Sequence, residues 1–121
     1  MTTKKLDAHS QNLQRVYDSG GWFMTNRELF HAFSLEEACL LSHLINIGSI
    51  KKTVWFCCRI EQLKEVLNLS DRQQRRLMSH LVRRGVLKVK MMGGPAKRFV
   101  SIDYVRMHKL ISDAAEKRFP G

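Results

Sequence analysis

Between Arg72 and Arg98 the chain contains no aspartate or glutamate. The same segment holds nine basic residues: Arg72, Arg75, Arg76, Arg83, Arg84, Lys88, Lys90, Lys97 and Arg98. Elsewhere twelve basic residues face all eleven acids, so nine of the ten units of net charge lie in this stretch. An absence of acids this local excludes an ordinary mixed-sign surface and predicts a polyanionic partner, first of all a nucleic-acid backbone.

Other absences narrow the function further. Met1–Ser10 is polar, with no hydrophobic signal segment, and no apolar run approaches the ~18 residues that a spanning helix needs. A membrane-surface helix would oppose its lysines and arginines to a continuous Trp, Phe and Leu face; the basic segment instead alternates helix and strand patterns. The cysteines, Cys39, Cys57 and Cys58, are odd in number, which with the missing signal segment predicts a reducing, cytoplasmic setting. For catalysis the chain offers no glycine-rich phosphate loop, no paired carboxylates in a polar context and no Ser and His pair with an orienting acid, so no enzyme is expected. Gly93 and Gly94 belong to a hairpin turn and do not precede a helix. Cys39 and His43 have a spacing that can hold a metal, but Cys57 and Cys58 on a strand face opposite ways. Buried free thiols are therefore expected, with no metal and no other cofactor.

What is present fits one soluble domain with a single core: 121 residues, 44% hydrophobic and 26% charged. Residues 1–20 read as a partly ordered arm carrying Lys4 and Lys5, followed by an apolar knot of Trp22, Phe23 and Met24 assigned to core or interface. Thr25 and Glu28 have capping-box spacing, which predicts a short helix through Phe30 or His31. Ser34 and Glu37 repeat that spacing ahead of Leu35, Ala38, Cys39, Leu40, Leu41, Leu44, Ile45 and Ile47. These residues make a helix apolar around most of its girth, a central core element expected to stop at Gly48. Lys51 and Lys52 mark a turn, and Thr53–Cys57 read as a short strand.

A helix follows from Ile60, with Ile60, Leu63, Val66 and Leu67 on one face. Asn68, Leu69 and Ser70 then form a turn, because asparagine tolerates the left-handed conformation that ends a helix. Ser70 and Gln73 form another capping box, and the next helix is predicted over Asp71–Arg84, stopping at Gly85. Its spacing turns Leu77, Met78, Leu81 and Val82 to the core and Arg72, Gln73, Arg76, His80 and Arg83 outward. Leu87, Val89 and Met91 alternate with Lys88, Lys90 and Met92, a strand half buried with its basic side in water. After Gly93, Gly94 and Pro95 a second strand returns over Arg98–Ile102, and Asp103 caps a last helix with Met107, Leu110, Ile111 and Ala114 at helical spacing.

The order helix, strand, helix, turn, helix, hairpin, with LNLSDRQQRRLMSHLVRRGVLKV at its centre, resembles the winged helix-turn-helix superfamily over about Ser34–Ile102. The segment is similar to MarR-type regulators and to phage and plasmid replication initiators, the latter also through WFCC ahead of the second of these helices. Two residues depart from the pattern: Gln74 where an aliphatic side chain is usual, and Arg59 where a small cap is usual. The resemblance implies a mainly α fold with a small β-hairpin (α+β): an arm over 1–20, a winged-helix domain over 21–102 and a C-terminal helix over 103–121 for packing or dimerisation. It also implies double-stranded DNA as partner, in a bacterial, nucleoid-associated setting. Helix 71–84 would enter the major groove, with Arg72, Gln73 and Arg76 at base edges and Arg75, His80 and Arg83 at phosphates or flanking positions. Lys88, Lys90, Lys97 and Arg98 of the wing would grip the backbone. The expected role is a transcriptional regulator; the alternatives are a replication or mobile-element accessory at an origin, with a replication or transcription protein as partner, and a protein-binding adaptor. A homodimer built from the terminal elements is expected.

Overall fold

A computed structural model of the chain describes residues 26–119 and two helical positions ahead of them, Ala8 and Gln11. The remainder of the arm, the Trp22–Met24 knot and Thr25 lie outside the described residues. The fold is mainly helical with a small three-stranded antiparallel sheet: a winged-helix arrangement with an added C-terminal helix.

Helix α1 (Leu29–Ala32) opens from an Asn26 turn, in which the side-chain Oδ1 accepts from the Glu28 N–H at 2.8 Å. Glu28 is the residue preceding the helix, not its third residue, so the capping box expected for it does not set this start. Helix α2 (Leu35–Lys51) has the Ser34 and Glu37 box in full, each side chain accepting from the other's backbone N–H. Ala38, Leu40, Leu41 and Leu44 on α2 have no exposed surface, as a helix wrapped on several sides requires. The helix does not stop at Gly48. It runs to Lys51, and Lys52 takes the left-handed conformation at φ 55°. Gly48 serves close packing instead: a Cβ there would stand 3.0 Å from the Phe56 ring.

Strand β1 (Phe56–Cys57) is shorter than the expected Thr53–Cys57, since Thr53, Val54 and Trp55 do not pair with β3. Helix α3 (Ile60–Leu67) buries Leu63 completely and ends at Asn68, φ 55°. Leu69 drops into the core, and the Ser70 and Gln73 box starts α4 (Asp71–Arg83). Gly85, φ 79°, closes α4 in a Schellman turn: its N–H donates to Val82 O and that of Val86 to Leu81 O, both at 3.0 Å. Leu77, Met78 and Leu81 face the core as expected, but Val82 is 44% exposed. It lies at the rim of the buried stripe, where no second layer covers it.

Strands β2 (Leu87–Met92) and β3 (Lys97–Ile102) form the wing, and the sheet order is β1-β3-β2. The central strand β3 buries Arg98, Val100 and Ile102 on its inner face and Ser101 on the other. The edge strand β2 buries Leu87 alone: Val89 is 37% and Met91 58% exposed. The expected half-buried alternation therefore fails beyond the first residue, because the helices reach the middle of the sheet and leave its outer edge uncovered. Helix α5 (Tyr104–Arg118) is capped by Asp103, buries Met107 and lays Leu110 and Ile111 against the core beside α1. Arg106 Nε donates to Arg84 O at 2.9 Å, and Arg118 pairs with Glu28 at 3.2 Å, so both ends of α5 are tied down.

Candidate nucleic-acid interface

The outward side of α4 carries Arg72, Gln73, Arg75, Arg76, His80 and Arg83, all exposed. Helical spacing of three and four residues gathers them on the surface opposite Leu77, Met78 and Leu81. Among the described residues Arg72, His80 and Arg83 make no side-chain ion pair, so these side chains are available to a ligand. Arg75 is held by Asp71, one helical turn back, at 3.1 and 3.3 Å. Arg76 Nη2 reaches Glu36 Oε2 on α2 at 2.9 Å. Both are exposed pairs of the kind worth ~0–1 kcal/mol, so phosphate or a base can displace the carboxylate at small cost. Gln73 is more constrained: its Oε1 accepts from the Ser70 N–H at 2.9 Å, which leaves the Nε2 donor for a base edge.

On the wing, Lys88, Lys90 and Lys97 are exposed, as expected of residues on the watery side of a strand. The Lys90 ammonium lies 3.9 Å from the Trp55 ring centroid. Arg84, also in the acid-free segment, stacks on Phe33 at 4.6 Å.

Arg98 corrects the expected set. It is 8% exposed and turned inward, Nε donating to Cys58 O at 2.9 Å and Nη2 to Gln74 Oε1 at 2.8 Å. Gln74, with no exposed surface, donates its Nε2 to Ile60 O at 3.0 Å and Leu69 O at 2.9 Å. One buried polar chain therefore joins the wing, α4, the start of α3 and the turn between the helices. The guanidinium is hydrogen-bonded inside the domain and does not reach phosphate. Strand alternation contains the signal for this, since Arg98 falls on the same face as Val100 and Ile102, and helical spacing puts Gln74 with Leu77, Met78 and Leu81. Two polar residues at two core positions imply each other, but which atoms meet depends on how the sheet packs beside α4. Arg59, the other residue unusual for the pattern the sequence resembles, precedes α3 with extended backbone and no side-chain cap bond.

The thiols are divided. Cys57 is half buried opposite Phe99, and Cys58 is buried on the other side, where burial pushes its thiol pKa up against the opposing pull of the Arg98 charge. His43 on α2 is buried, burial lowers its pKa, and its Nε2 has no hydrogen-bond partner among the described residues. No three His, Cys, Asp or Glu side chains gather as a metal site would need, again among the described residues. No described helix is long and apolar enough to cross a membrane.

No family model matches the chain, and no curated protein matches it. A solved structure described as the "N-Terminal domain of DNA binding protein" is similar over 99% of this chain and 98% of its own, with a TM-score of 0.52 and 12% identity. At that identity the likeness concerns the fold.

Proposed function

We propose that this chain binds double-stranded DNA as a member of the winged-helix superfamily and acts as a transcriptional regulator. The observation that carries the reading is the exposed row Arg72, Arg75, Arg76, His80 and Arg83 on α4, continued by Lys88 and Lys97 on a wing without acids. That the similar solved structure is described as part of a DNA-binding protein supports it. Helix α4 enters the major groove, where Arg72 and Arg76 can each offer two donors to guanine and Gln73 offers its one remaining amide. Arg75, His80 and Arg83 flank them at phosphates, and Lys88, Lys90 and Lys97 bring the wing onto the backbone, adding grip without sequence information. The chain does no chemistry on the DNA. A second copy, as a two-fold site would need, would meet along the terminal elements, where Tyr104 and Val105 of α5 are exposed; a monomer mass in micromolar sedimentation removes the dimer from the proposal.

The test begins with selection of bound fragments from genomic DNA. Sites near promoters, with transcript levels that change on deletion, support the regulator; sites confined to an origin would move the chain to a replication or mobile-element role. On the selected site Arg76→Ala should lose ~1–3 kcal/mol more than on random duplex. Failure to bind any duplex in low salt would leave the protein-binding adaptor.

A further inference from the structure

The sheet face turned away from the core carries a second kind of chemistry. Register places Cys57, Phe99 and Lys90 in one row across the three strands, with Lys88 and Ser101 in the row on one side and Met92 and Lys97 on the other. Trp55 belongs to the same face, since the Lys90 ammonium sits 3.9 Å from its ring centroid. Trp55 and Phe99 are half buried, while Lys88, Lys90, Lys97 and Met92 are exposed. Met92, Lys97 and Phe99 also line an open pocket with the turn residues Gly93, Gly94 and Pro95, so the surface continues to the hairpin tip. No acid occurs from Thr53 to Cys57 or anywhere in β2, β3 and their turn.

Two aromatic rings among three lysines on an open sheet match what an unpaired strand presents: base faces for the rings and phosphates for the ammonium groups. A duplex presents phosphates but keeps its base faces inside the stack, so it would use the lysines and leave the rings idle. We propose that this outer face binds unpaired nucleotides, with Trp55 and Phe99 as stacking platforms and Lys88, Lys90 and Lys97 on the backbone. A nucleotide arriving at Trp55 exchanges the ammonium-to-ring contact for a base-to-ring stack and an ammonium-to-phosphate pair. The chain then has two overlapping nucleic-acid surfaces that share Lys88, Lys90 and Lys97: α4 with the wing for a duplex, and the outer sheet with its two rings for a single strand, as suits a junction between the two. The single-strand reading shares these lysines with the duplex reading but is carried by Trp55 and Phe99, which a duplex does not use, so the two fail separately.

The test uses the full chain with fluorescently labelled dT12, U12 and a 12-base-pair duplex in low salt, read by anisotropy. Trp55→Leu and Phe99→Leu keep apolar bulk and remove a ring; each should weaken single-strand binding by about 5- to 150-fold while duplex binding stays within about twofold. Trp55→Phe should retain most of the affinity, and a thermal melt of each variant separates ring loss from unfolding. Either oligonucleotide bound with these losses supports the site, and the tighter of the two identifies the strand as DNA or RNA. Absence of binding to both, leucine variants that bind like the parent, or losses equal on the duplex would overturn it. Duplex binding that fails while dT12 binding persists counts against the reading of α4 alone.

Discussion

Lys97 and Arg98 are neighbours on one strand, yet they end on opposite faces of the sheet and in opposite environments. Lys97 stands in water at the hairpin. Arg98 is buried, hydrogen-bonded to Cys58 and Gln74. The inner face uses a positive group to satisfy buried carbonyls and tie the wing to α4; the outer face leaves its charges for a ligand. A count of basic residues treats the two alike, whereas the period of a strand, with successive side chains on opposite faces, separates them.

The sharpest way to break this comparison is to truncate the inner member. Arg98→Ala leaves Gln74 Oε1 and Cys58 O without their donors, and should cost ~2–4 kcal/mol of stability in a denaturant titration. DNA affinity of the folded fraction should keep its salt dependence; a lower slope would mean that Arg98 touches phosphate after all. Combining Arg98→Met with Gln74→Leu should cost less than the two singles together, by ~0.5–3 kcal/mol, because each single change orphans a group that the double change removes.

His43 extends the contrast to a buried basic group on α2 that has no partner at Nε2 among the described residues. Its folded pKa is depressed by burial, so the unfolded chain binds the proton more readily. Its contribution to stability is therefore level above pH ~6.5 and falls as pH drops below that value towards the folded pKa. His43→Gln should flatten this part of the stability profile; an unchanged acid limb would assign the loss to other groups.

The smallest effect belongs to the outer face. Lys97→Ala should leave stability within ~0.5 kcal/mol and lower the slope of log affinity against log salt by about 1, the signature of one lost phosphate contact.

The local devices were legible from residue types alone. The boxes at Ser34 with Glu37 and Ser70 with Gln73, the left-handed Asn68 and the Gly85 stop each depend on groups within a few residues of one another, and each formed as expected. Gly48, Val82, Val89 and Met91 were misread for a shared reason. Whether a glycine ends a helix or admits a ring, and whether an apolar side chain is covered, depends on what another element brings against it.

The sequence by itself determined the charge, its confinement to one helix and one hairpin, and the order of the elements, because these follow from composition, caps and periodicity. Tertiary structure alone decided which of those charges remain for a partner. Packing the sheet beside α4 puts Arg98 against Gln74, folding α2 beside α4 brings Glu36 to Arg76, and the antiparallel register stands Lys90 over Trp55. Each of these contacts joins residues from different elements, at distances that no local pattern encodes.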